Sequence, residues 1–109
     1  MATTATADIA ALAQLDSRDV AALTEHMDVY ADDPACREEQ VAVYNHGDRY
    51  VVTPDVPCCD CPDMIHRRPA GGCKHIRRIE FERGERAIPA GVDYDAIDNG
   101  LHIDNGGSR

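Results

Sequence analysis

A small α+β domain is the fold class this sequence predicts, and three observations predict it. Apolar residues recur with a helical period in the N-terminal third, two β-branched runs flank a turn, and a cysteine–histidine cluster opens a second helical pattern. The length, 109 residues, suits one small domain. Leu, Ile, Val and Phe supply only 20 of those residues, and the net charge is −9. That pairing normally marks a disordered chain. A chain this short buries only about 60–65% of its unfolded surface even when its core is good. Something besides burial must therefore hold the fold, and small domains use disulfides or a metal.

Residues 1–7 are small and polar and are expected to be disordered. An N-terminal helical segment is expected over residues 8–34. Ile9, Leu12 and Ala13 share one face, and Ser17 has N-cap chemistry before Val20, Leu23, Met27 and Tyr30, which follow at i, i+3, i+7 and i+10. The helix has room for a break near Asp16, and Asp32, Asp33 and Pro34 close the segment. Val41-Ala42-Val43-Tyr44 and Tyr50-Val51-Val52-Thr53 then read as a β-hairpin. Asn45-His46-Gly47-Asp48-Arg49 between them has turn chemistry, with Gly47 free to take positive φ. From Cys73 to Arg83 the pattern is helical: Gly71 and Gly72 precede it, Ile76 and Ile79 form its apolar edge, and Gly84 stands at C′. Residues 85–109 form an acidic tail that either docks through Ile88, Val92, Tyr94 and Ile97 or hangs free.

Several classes are excluded. No apolar run approaches the roughly 20 residues of a transmembrane helix. The first residues lack the charged and apolar regions of a secretory signal, so a cytoplasmic, reducing compartment is expected. Clustered cysteines there favour metal over disulfide. Gly-rich phosphate loops, GxSxG and HExxH are all missing from the sequence, so a large catalytic fold does not fit. Ten of the eleven basic residues are Arg against 20 acids, which points to adaptation to high salt; a merely acidic protein is the plainer alternative.

Cys58-Cys59-Asp60-Cys61, eleven residues, then Cys73-Lys74-His75 is the informative stretch. Zinc prefers four thiolate or imidazole donors in a tetrahedron, and two close pairs joined by a loop supply them. Binding of that kind contributes folding free energy on the order of 10 kcal/mol, more than so lean a core offers. One structural zinc is therefore expected. Spacing alone leans to Cys58 and Cys61 as the first pair, in CxxC; Cys59 and Cys61, in CxC, is the other register. A disulfide switch at Cys58 and Cys61 lacks the βαβ setting of redox proteins.

A hairpin, then Cys59-Asp60-Cys61-Pro62-Asp63, a loop, and Cys73-Lys74-His75 opening a helix resembles the SWIM zinc finger. The resemblance covers residues 41–84. It implies that Cys59, Cys61, Cys73 and His75 are the ligands, so that it reverses the choice that spacing favours. The chain is also similar to small SWIM-domain proteins of halophilic archaea, through residues 22–27 and 84–89. The extra Cys58 departs from the family pattern and is expected to be a spare thiol. Cys36, His26, His46, His66 and His102 are expected to stay outside the site.

Residues 66–86 carry seven basic groups against Glu80, Glu82 and Glu85, a local charge of +4 on a chain of −9. Lys74, Arg77 and Arg78 fall at i, i+3 and i+4 on one helical face, and Arg67 and Arg68 lie on the loop between the ligand pairs. Such a patch is what phosphate contact requires, and DNA and protein partners are both linked to the SWIM family. Local pairs, Arg78 with Glu82 and Arg77 with Glu80, would absorb part of that charge. A closed four-ligand zinc leaves no open position, so catalysis and a small-molecule substrate are not expected. The expected function is a non-catalytic interaction module, foremost a protein adaptor offering Val20, Leu23, Met27 and Tyr30 or its acidic tail. The alternative is a DNA-binding regulator using Arg67, Arg68, Lys74, Arg77 and Arg78.

Overall fold

The computed structural model describes residues 15–89, 92 and 94–101. The first helical stretch with Ile9, Leu12 and Ala13, the residues expected to be disordered, and the end of the tail from His102 lie outside the described residues.

The N-terminal segment is shorter as a helix than its periodicity predicts. Helix α1 spans Ser17–Thr24 and is capped by Asp16, whose carboxylate accepts the Asp19 N–H at 3.0 Å. Ser17 is thus the first helical residue and not the cap. At Glu25 the backbone turns extended (ψ 145°), and Met27–Tyr30 forms strand β1. Met27 and Tyr30, expected on the helix, belong to the sheet. The stripe fails because β2 offers residues 27–30 an edge to pair with, and Val29 and Tyr30 have β-strand side chains.

The hairpin forms where the sequence places it. Strands β2 (Val41–Asn45) and β3 (Asp48–Thr53) flank a two-residue turn at His46 and Gly47, with φ 55° and 83°. Positive φ at both positions suits the right-handed twist of paired strands. A two-residue strand β4 (Cys58–Cys59) pairs with the end of β3, completing an antiparallel sheet of order β1-β2-β3-β4. Short helix α2 (Pro62–His66) follows, then helix α3 (Lys74–Glu82), and a 3₁₀ turn at Tyr94–Ala96.

Helix α3 joins two apolar clusters. Ile76 and Ile79 meet Met27, Val41, Val43 and Val52 of the sheet together with Cys59, Cys61 and Cys73. Phe81 meets Ala22 and Leu23 of α1 with Val92 and Ile97. The acidic C-terminal region therefore docks, at least through Val92 and Ile97, with Ile88 and Leu101 partly buried beside them. Asp98 adds a backbone bond to the Leu23 carbonyl at 2.8 Å. Among the described residues, no helix is long and apolar enough to cross a membrane.

Candidate metal centre

Each candidate ligand is set by a local backbone feature. Alternation along β4 turns Cys58 to solvent and Cys59 to the core. Cys61 is the N-cap of α2, and Pro62 at the first helical position starts that helix at once. Cys73 is the N-cap of α3, which places His75 in the first turn on the same side. Gly72, at φ 89°, precedes it; a Cβ there would lie 3.0 Å from the Ile76 side chain, so only glycine lets the chain enter α3 along this path.

The result is a cluster in which one donor atom each from Cys59, Cys61, Cys73 and His75 lies within 4.8 Å of the others, all four residues buried. His75 Nδ1 stands 3.8 Å from Cys59 Sγ and 3.7 Å from Cys73 Sγ. A zinc tetrahedron with thiolate sulfurs has edges of roughly 3.8 Å. Donor chemistry, number and spacing all fit a metal ion, and zinc is the ion such a set favours. All five cysteines are free of disulfides. Cys58 is exposed and its thiol faces the Val56 carbonyl, Cys36 is half-buried elsewhere, and His66 is exposed. The cluster thus takes the CxC register, not the CxxC that spacing favours.

Two neighbours orient His75. Asn45 donates its amide N–H groups to the His26 carbonyl (3.1 Å) and to Glu25 (3.3 Å), which turns its Oδ1 toward His75 Nε2 at 3.2 Å. That network assigns the proton to Nε2 and the lone pair to Nδ1, which faces the thiols. Tyr50 stacks on the imidazole, centroids 4.3 Å apart at 25°. Neither residue is a site candidate from sequence, where Asn45 reads as part of the turn. Its signal was the alternation Val41, Val43, Asn45: a polar residue in an inward position needs a buried partner.

The thiols are electrostatically unequal. Cys73 is held down to about 4 by the Cys59 thiol, with His75 and the Ile76 N–H outweighing burial. Cys59 is pushed far up because it donates to Cys73 and is buried, and burial raises Cys61. Three thiols buried side by side resist ionising together; a divalent cation is what would let them do so.

The cationic face predicted on α3 is, for the most part, interior. Arg77 and Arg78 have side chains only 4% and 0% exposed. Arg77 reaches Asp16 (2.5 Å), Asp19 (3.2 Å) and the carbonyls of Gly72 and Ala70. Arg78 reaches Glu82 (3.0 Å), Asp98 (2.6 Å) and the carbonyls of Ala22, Glu25 and Met27. The DNA-binding alternative would have both meet phosphate, but α1 and residues 97–101 cover that face and bring the acids with them. Glu80 takes Arg86 at 2.8 Å, not Arg77. Lys74 is paired with Glu25 at 2.6 Å. Arg67 and Arg68 stay exposed, Arg67 beside Asp63 at 3.5 Å. Leu23 and Met27 are likewise buried to 0% and 1%, so that half of the face expected to greet a protein partner is core, while Tyr30 stays 49% exposed on β1.

Comparison with family models, with curated proteins and with solved structures gives no match for this chain. What the site defines is a small α+β domain with a buried Cys₃His cluster positioned to bind a metal ion.

Proposed function

We propose that this chain is a SWIM-type zinc finger protein, a non-catalytic module in which one zinc ion fastens the fold and an exposed surface receives a protein partner. The observation that carries this reading is the convergence of Cys59, Cys61, Cys73 and His75, all buried, within 4.8 Å. Bound there, the ion would cross-link β4 and the starts of α2 and α3, and four protein donors would leave it no position for substrate. The CxC and CxH spacing with a preceding hairpin supports the SWIM assignment. The excess of acids, with Arg in place of Lys, supports a high-salt working environment, and five cysteines free of disulfides suit a reducing cytoplasm.

A protein partner is favoured over DNA because the basic face is consumed internally. Arg77 and Arg78 are buried against acids and Lys74 is paired, leaving Arg67 and Arg68 as the exposed members of the five. Two such cations on a chain of −9 give weak attraction for a polyanion, and none at high salt.

The test is elemental analysis of the native protein, with duplex-DNA retention measured on the same sample. One zinc per chain and no retention is the expected result. A metal-free native protein overturns the reading. Retention of DNA that disappears in Arg67→Glu/Arg68→Glu replaces the adaptor with a nucleic-acid module.

A further inference from the structure

β1 is an outer strand of the sheet, and its free edge is only half closed. Met27 turns its N–H and C=O away from β2, where Asp98 accepts the first at 3.3 Å and Arg78 donates to the second at 3.1 Å. Alternation in an antiparallel pair sends Asp28 and Tyr30 toward β2 and Val29 outward again. Val29 has neither cap: among the described residues no side chain and no turn or loop backbone group bonds its N–H or its carbonyl. A groove of about 240 Å³ runs along this edge, floored by β1 and walled by Glu82 and Gly100. On the outer face it adjoins a hollow of about 480 Å³ that shares Asp28 and Tyr30 and is closed by Asp32, Asp33, Pro34 and Tyr44.

Exposed edges are normally blunted by charged side chains, proline or a covering element, and an acidic edge repels an acidic strand but not a basic one. Here the flanking side chains are acids and an aromatic. Tyr30 is 49% exposed, its ring edge-on to Tyr44 at 5.6 Å. Asp32 meets no cation among the described residues, and Asp28 meets His26 at 3.2 Å. We infer that the β1 edge receives an extended basic segment of another protein as a fifth strand, paired through Val29, with an Arg or Lys side chain laid over Tyr30 between Asp28 and Asp32. Main-chain bonds give such a strand its register, and the ring face with two carboxylates selects its cation. A second copy of this chain does not suit the edge, because its own β1 would bring Asp28 against the same acids. The inference rests on the adaptor reading and gives that reading a surface and a partner chemistry.

The experiment titrates the zinc-loaded full chain with acetyl-Arg-Val-Arg-Val-Arg-Val-amide and follows backbone amides by NMR. Expected are saturable shifts confined to residues 27–33 and slowed hydrogen exchange at Val29. Tyr30→Ala and Asp32→Lys should each weaken binding about ten-fold, with circular dichroism unchanged. Methylating the backbone nitrogen that faces Val29 should remove binding while every charge is kept. Equal affinity after methylation, shifts centred elsewhere, or no binding at millimolar peptide overturns the assignment. Binding that emerges only after deletion of residues 102–109 also overturns it, since the edge then belongs to the chain's own end. Zinc content of the same sample separates the failures: a zinc-loaded protein that ignores the peptide loses only the edge, whereas a metal-free one loses the adaptor reading.

Discussion

Arg78 shows how far one side chain can serve a fold this small. Its guanidinium is fully buried, yet it satisfies two carboxylates and three carbonyls, among them the Ala22 and Glu25 carbonyls at the end of α1. Replacing it strands those groups: Arg78→Ala should cost about 3–5 kcal/mol in chemical denaturation. Arg78→Lys should rescue little, because one ammonium cannot span acceptors that a planar fork reaches. A lysine variant of wild-type stability would contradict this. Its partner Asp98 sets an acid limit. Burial alone would raise that carboxyl, but Arg78, His26 and two backbone N–H groups outweigh it and lower it from 3.8 to about 2. The stabilisation, about 2 kcal/mol, is complete above the ordinary value and is lost as pH falls toward the folded one. The Asp98 contact also raises the His26 pKa. The stability gap between wild type and Asp98→Asn should therefore be fullest near about pH 6 and narrow as pH rises through the histidine range and His26 loses its proton. A gap that stays constant between about pH 6 and pH 9, where the thiolates keep their metal, would refute it. Of these contacts, only the i,i+4 pair with Glu82 was legible in the sequence. Helical spacing says that Lys74, Arg77 and Arg78 share a face; what covers that face comes from residues as distant as Asp16, 61 positions from Arg77.

At the scale of elements, legibility followed how local the determining chemistry is. The hairpin and helix α3 announce themselves through turn glycines, β-branched runs and a C′ glycine, all within a few residues. Strand β1 does not: four residues, Met27–Tyr30, become a strand because β2 offers them an edge, and their helical spacing from Val20 and Leu23 misleads. The ligand register was likewise beyond spacing arithmetic, since CxxC and CxC both bring two sulfurs close. The pleat of β4 decides it, with Cys58 outward and Cys59 inward. Cys58→Ser should keep a full complement of zinc, whereas Cys59→Ser should lose it, as read by elemental analysis; loss from Cys58→Ser would move the register. Gly72 guards the entry to α3 in the same way. Gly72→Ala meets both a left-handed φ of 89° and a 3.0 Å contact with Ile76. It should destabilise the protein by more than about 1 kcal/mol and weaken competition for zinc against a chelator, because Cys73 moves with the strained residue. Unaltered zinc affinity would show that the first turn of α3 relaxes around the extra carbon.

For the molecule as a whole, the proposed zinc would reconcile the disorder implied by its composition with the order of its fold, at the Cys₃His cluster. Three cysteines lie inside the sheet cluster, in contact with Met27, Val43, Val52 and Ile76, so the cluster is core and site at once. The second cluster, around Leu23 and Phe81, contains no donor, but it is built on the same helix α3. Removing the proposed zinc would leave buried thiols and an imidazole that favour different protonation states in one small space, and α3 would lose its anchor at both Cys73 and His75. Because α3 carries Phe81 as well, the second cluster should follow the first, and the Arg77 and Arg78 pairs should open with it. Chelation is thus expected to unfold the described domain in one transition. Far-UV circular dichroism and hydrogen exchange at Leu23 and Val43 should report the same midpoint, with refolding on addition of one equivalent of zinc. Separate midpoints would mean that α1 and residues 92–101 hold α3 without the metal, and unchanged circular dichroism would mean that burial alone carries the fold. High salt sharpens the prediction. Surface attraction is screened within about 3 Å at 1 M, but buried pairs and coordinate bonds are not, so the transition should keep its single midpoint in concentrated salt.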